Sequence, residues 1–425
     1  MSNAFANRHR KPADPAITVF DITPSDTPDL AQVTTALNVA NPGTVRVTPL
    51  DGSVADVTIH PGHAFPIHAR RVWLTGTTAT GIRGLALRTA CVTARLRLFE
   101  KHPGGFSCEG FMVSRLRRSP LWFLFLLLPA CGLLRGCVPD PLSDADFSAL
   151  YATPPAAPDA ALAGYHMGHS LVGHDMPVML QALGGEGHLF HSQLGWGANM
   201  NEHWDLKVPV NGYAESNTHP QHRDPHEGLA SGEYDAVVIT EAVEIRDAIA
   251  YSDPVYFLRE IAVAAWEANP DVRVYFYETW HVLDDPEGWL TRLDRDLEMY
   301  WENGILRRSL NYENVDKPIY VIPGGQVMAA MARALEAQGP VGPISHYSDL
   351  FYDNIHFNDY GAYLMALTHY AVLYGRSPVG LPSTLPKLDG TLSDDPGPEA
   401  ARLMQETVWQ VVTAYAPTGV RAAAQ

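Results

Sequence analysis

The chain has 425 residues, 46% of them hydrophobic, enough for two or three domains with real cores. Its net charge of −17 argues against a nucleic-acid binder, because neutralising phosphates takes clustered Lys and Arg. All four cysteines (Cys91, Cys108, Cys131, Cys137) fall in one interval, so the chain beyond Cys137 can hold neither a disulfide framework nor a thiolate metal site.

Residues 1–15 are polar and basic and are expected to be disordered. Residues 16–87 carry short β-type runs (AITVFDI, TVRVTPL, ADVTIH, RRVWLTG) separated by turns such as Asn41-Pro42-Gly43, and predict a small all-β module. The phrases ITPSDTPDLAQVTTALNV, PGTVRV and FPIHARRVWLTGTTATGI resemble the small spike-base proteins of tailed phages and gene-transfer agents. That resemblance implies attachment to a phage-like particle and brings no catalytic residues.

Residues 88–111 show no clean period and read as an irregular junction. In 112–137, Arg115, Arg117 and Arg118 precede an apolar run from Leu121 to Leu134 that contains Leu128-Pro129-Ala130-Cys131. This is the form of a secretory or lipoprotein signal, too short to span a bilayer, which takes about 20 apolar residues. The expectation is two joined reading units with Met112 as a candidate start, and an extracytoplasmic location (secreted, periplasmic or lipid-anchored) in a bacterium or its phage. Residues 138–160, rich in Pro, Ala and Asp, read as an extended linker.

From 161 to 386, strand-like runs (LAGYHM, HLFHSQL, YDAVVIT, VRVYFYE, PIYVIP) alternate with helical spacing over 254–269, 285–301, 326–338 and 358–374. Such alternation predicts an α/β module on a mostly parallel sheet with right-handed crossovers. Residues 387–425 read as a polar tail ending in one amphipathic helix, 399–415.

The first of these strands runs into Gly168-His169-Ser170-Leu171, where an open α/β sheet presents reactive groups to substrate. A serine attacks only if a base takes its proton and a carboxylate orients that base. Asp353-Asn354-Ile355-His356 is the sole Asp-x-x-His in the sequence and supplies such a pair. The α/β-hydrolase elbow Gly-x-Ser-x-Gly does not match, because glycine returns one place late, at Gly173. Nine histidines between His166 and His226 invite a metal reading, but no His-Glu-x-x-His is present; no metal and no cofactor are expected.

With these residues in view, the module resembles the SGNH, or GDSL-type, hydrolases, in particular a subgroup with a Gly-x-Ser opening. The matching phrases are Gly195-Trp-Gly-Ala-Asn199-Met-Asn-Glu-His203-Trp204, Tyr277-Glu-Thr-Trp280 and Asp353-Asn-Ile-His356-Phe-Asn-Asp-Tyr-Gly361. The resemblance implies a flavodoxin-like three-layer α/β/α fold, Ser170 as nucleophile, His356 as base, Asp353 as its orienter, and the Gly197 amide as an oxyanion donor. The third block departs from the family pattern: Thr240-Glu241 stands where members carry an Asn donor. An ionised Glu241 would oppose a developing negative charge, leaving the Thr240 hydroxyl or Asn199 as the donor. Trp196 and Trp204 are candidate substrate-facing rings, and His203 a wall residue.

Two functions are expected from these features. One is a serine esterase removing a small acyl group, such as acetyl, from a carbohydrate or other small-molecule ester. The other is a particle-borne attachment protein whose α/β module binds glycan with little or no turnover.

Overall fold

The computed structural model describes residues 18–86, apart from positions 28, 31, 32, 50, 51 and 63, and residues 138–422. The expected disordered start, the junction at 88–111, the signal-like segment at 112–137 and all four cysteines lie outside the described residues. The chain divides into two compact units that part at Cys137–Val138.

The first unit is all β. Strands β1 (Thr18–Asp21), β7 (Arg83–Ala86), β2 (Ala36–Asn38) and β5 (Phe65–Pro66) make one antiparallel sheet in that order. Strands β4 (Ala55–Ile59), β3 (Gly43–Pro49) and β6 (Ala69–Val72) make another. Alternation along β3 buries Val45 and Val47 with Leu37, Ile59 and Val72 in a small core. Arg46 forms a two-pronged pair with Asp56 across β3 and β4.

The second unit is a parallel sheet of five strands: β8 (Ala163–His169), β9 (Leu189–Gly195), β10 (Ala236–Thr240), β11 (Arg273–Glu278) and β12 (Ile319–Pro323). The order is β12-β11-β10-β8-β9, the flavodoxin-like arrangement, and its direction reverses between β8 and β10. Every residue of β10 and β12 is buried, which is why these strands read as unbroken apolar runs rather than alternating ones. Helices Asp175–Gly184, Gly324–Gln338, Asp359–Tyr374 and Gly397–Ala414 pack into one layer; Met200–Trp204, Pro225–Ala230 and Pro254–Ala268 pack into the other. All five strands lie within two residues of the runs read from sequence. The three-layer α/β/α fold with a preceding small β module is therefore the fold of this chain.

The linker expected at 138–160 is instead partly folded. Ser143 caps a helix over Asp144–Leu150, its Oγ accepting from the Asp146 amide, and Phe147 and Tyr151 are buried in the α/β core. Tyr151 donates to the Ile319 carbonyl at 2.6 Å, tying the segment to β12. The tail beyond 386 packs as well: Met404, Val408 and Val412 of the Gly397–Ala414 helix are buried. Burial of an aromatic pair outweighs the Pro/Ala composition that suggested an extended spacer.

Candidate active site

Ser170 follows β8 directly, at the strand-order reversal where open α/β sheets bind ligands. The turn can form there because Gly168 has no side chain. A Cβ at that position would meet the Thr240 methyl and come within 2.9 Å of Val172 Cγ2. Neighbouring side chains fix the turn. His169 Nε2–H donates to the Glu241 carbonyl (3.0 Å), which leaves its Nδ1 to accept the Leu171 amide (3.3 Å). His203 Nε2–H donates to the Gly168 carbonyl (2.8 Å), and Tyr277 donates to the Leu171 carbonyl (3.2 Å).

The loop 351–357 comes from the other end of the module. Asp353 Oδ1 accepts the Ile355 and His356 amides at 2.8 and 2.7 Å, a local turn that aims the carboxylate at the ring. Its Oδ2 lies 2.7 Å from His356 Nδ1, and His356 Nε2 lies 2.9 Å from Ser170 Oγ. An ionised carboxylate only accepts, so Nδ1 carries the proton and Nε2 is free to accept the Ser170 hydroxyl. Burial opposes the Asp353 charge, but the His356 amide and ring and the Ile355 amide outweigh it and hold the carboxyl below its ordinary value. The Trp280 indole donates to the Ile355 carbonyl (2.8 Å), the Leu283 amide donates to the Asn354 carbonyl (2.8 Å), and Asn358 caps the helix that follows. Tyr352 stacks on the His356 ring, with centroids 5.6 Å apart and planes 11° off parallel.

Ser170 and His356 open onto a cleft of about 510 Å³. Leu171, Val243 and Ile355 form its apolar wall, and Trp196 (54% exposed) and Tyr352 (69% exposed) stand at its rim. Gly197 lies on the same cleft with φ of +56°, a left-handed turn that favours glycine. Trp196 is set in place by Asn211, which takes its amide and donates to its carbonyl.

Of the residues singled out from sequence, the structure brings together Ser170, His356, Asp353, Gly197 and Trp196, and it does not bring in three others. Thr240 is fully buried, and its hydroxyl donates to the Tyr277 carbonyl at 2.8 Å, so it offers nothing to the cleft. The Asn199 amide turns toward Glu202 (3.4 Å). Trp204 stacks on His226 at 4.1 Å, away from the cleft lining. The ionised Glu241 considered from sequence is disfavoured by its setting: burial pushes its carboxyl up to about 8 against the Ala242 and Met200 amides. Sequence reasoning missed Val243, Leu171 and Ile355 as wall residues. Their only signal was adjacency, one place after Ser170, one before His356 and three after the end of β10. Among the described residues, no group of three or more His, Cys, Asp or Glu is placed to hold a metal ion.

No family model matches the chain, and no curated protein matches it. Three solved structures illustrate what it is similar to. A GDSL-like lipase from Parabacteroides merdae is 12% identical over 52% of this chain and 99% of its own, with a TM-score of 0.33. The acetyl xylan esterase Est2A from Butyrivibrio proteoclasticus is 11% identical over 68% of this chain and 79% of its own, with a TM-score of 0.24. A chain from the capsid of a native GTA particle is 36% identical over 20% of this chain and 99% of its own, with a TM-score of 0.19.

Proposed function

We propose that the chain is an SGNH/GDSL-type serine esterase that removes a small acyl group, acetyl by preference, from a carbohydrate ester. The observation that carries this reading is the run of contacts from Asp353 through His356 to Ser170, ending on an open cleft. In the first half-reaction the Ser170 oxygen attacks the ester carbonyl while His356 Nε2 takes its proton. The Ser170 and Gly197 amides receive the oxyanion, the alcohol leaves with the proton from His356, and an acyl-serine remains. Water, deprotonated by the same imidazole, then releases the carboxylic acid. Leu171, Val243 and Ile355 suit a short acyl chain, and the exposed rings of Trp196 and Tyr352 suit the apolar face of a sugar. Hydrolysis of p-nitrophenyl acetate by wild type but not by Ser170→Ala is the expected result; equal rates remove the enzyme reading.

A second reading, attachment to a surface glycan with little turnover, is favoured by one observation. The third block lends no side-chain donor, since the Thr240 hydroxyl is committed to Tyr277. In this reading residues 16–87 dock on a phage-like particle. The same assay separates the two, because a binder retains glycan affinity in Ser170→Ala and shows no hydrolysis in wild type. Secretion or lipid anchoring through 112–137 is likewise proposed, and N-terminal sequencing of the mature protein tests it.

A further inference from the structure

Glu241 stands at the join of the two turns that frame the cleft. Its main-chain carbonyl accepts a hydrogen bond from the ring of His169, the residue before Ser170. Its side-chain Oε1 accepts the Ala242 amide at 2.7 Å, and the Met200 amide, three residues past Gly197, also acts on the carboxyl. The residue is fully buried, and Oε2 has no hydrogen-bond partner. Among the described residues no cation pairs with it. The titratable groups around it are Glu202 from the Met200–Trp204 helix and His169 from the serine turn, with His203 acting in turn on His169. Glu202 works against a second negative charge there, and burial drives both imidazoles toward their neutral forms. A buried carboxylate with no cation and one oxygen unpartnered is the costliest form this side chain could take.

We propose that Glu241 is a positioning residue that works as a neutral carboxylic acid, holding the serine turn and the glycine turn in register on either side of the cleft. The inference rests on the hydrolase reading for its effect on turnover. Losing the proton places an uncompensated anion between the two turns, and they part to admit water. Chemistry then suffers more than substrate capture, because it is the Ser170–His356 and Gly197 geometry that is disturbed. The raised proton affinity noted above puts that loss on the alkaline side of neutrality.

The test compares full-length wild type with Glu241→Gln, an uncharged side chain of the same shape, in two measurements. The first is kcat and KM for p-nitrophenyl acetate between pH 6 and 9.5. Wild-type kcat is expected to fall about tenfold above pH 8 with KM little changed, while Glu241→Gln keeps its pH 7 rate and loses the alkaline fall. An identical alkaline fall in both proteins overturns the proposal. The second is the Tm difference between the two proteins from pH 5 to 9. The folded-state proton affinity is raised, so wild type loses stability relative to Glu241→Gln as pH rises toward 8, and the difference levels off above it. A flat difference overturns the neutral carboxyl whether or not turnover is found. A sloping difference without turnover in either protein leaves it standing and removes the hydrolase reading instead. Should Glu241→Gln fail to fold, infrared spectra of wild type at pH 7 decide. Protonated-carboxyl bands from buried Glu241 and Glu278 support the assignment, and their absence overturns it.

Discussion

Lowering the pH from 6.5 to 5 should strip this fold of stability while its surface carboxylates are still largely ionised. Five imidazoles that are at most 3% exposed have their proton affinity lowered by burial: His166, His169, His188, His203 and His369. Burial holds His169, His188, His203 and His369 at about 4 and holds His166 well below the ordinary imidazole value. A base whose proton affinity is depressed by folding contributes stability above its unfolded value, here 6.5, and loses it as pH falls toward the folded value. Each imidazole loses on the order of 1–2 kcal/mol between pH 6.5 and 5, or about 8 kcal/mol for five. Glu241 and Glu278, both pushed up to about 8, work the other way, because the folded state already holds protons that the unfolded chain gains only near 4.5. Together they return roughly 4 kcal/mol over the same interval, leaving a net loss of about 4 kcal/mol. That is a large part of the 5–15 kcal/mol typical of a folded domain, so stability should peak near pH 6.5 and drop steeply below it. Urea unfolding at pH 6.5, 5.75 and 5 measures the effect. A free energy of unfolding that is constant or rising toward pH 5 refutes the reasoning.

Arg292→Met should cost about 3–5 kcal/mol in urea unfolding, because the fully buried guanidinium pairs with Glu244, Asp285 and Asp296; its loss takes the cation from Asp285 and leaves Glu244 to Arg246 and Asp296 to Arg295. Its effect should reach the cleft as well, since Glu244 follows the wall residue Val243 and the loop of Asp285 carries the contacts to Asn354. Asp353→Asn should lower kcat by about a hundredfold or more with KM little changed, because an amide cannot hold His356 with Nδ1 protonated as firmly as a carboxylate does. Trp196→Ala and Tyr352→Ala should each raise KM for an acetylated oligosaccharide severalfold while leaving p-nitrophenyl acetate nearly unaffected; equal losses on both substrates contradict a sugar-stacking role.

The sheet was legible because β10, β11 and β12 are buried on both faces and so carry continuous apolar runs, each followed by helical spacing. The pairing of Asp353 with His356 was legible because three residues is within reach of a local turn. Their approach to Ser170 was legible only through family resemblance, since 186 residues separate the two ends of that contact. The Thr240 hydroxyl was misread for a reason sequence does not display. Register pairs Thr240 with Tyr277 across β10 and β11, and the hydroxyl takes the nearest carbonyl rather than facing the cleft. The charge of Glu241 depends on burial, which is a property of packing and not of position along the chain. The Asp144–Leu150 helix had a readable start in Ser143-x-x-Asp146 and a readable stripe in Phe147 and Tyr151, both masked by the proline-rich sequence around them.

Turnover at this site requires the Ser170 oxygen to become covalently acylated. A fluorophosphonate probe added to the purified full-length protein, followed by peptide mass spectrometry, reads this directly. One adduct on Ser170, absent from Ser170→Ala and strongly slowed in His356→Ala, is the predicted result. A wild-type protein that takes no label at Ser170, or that labels equally fast without His356, contradicts it.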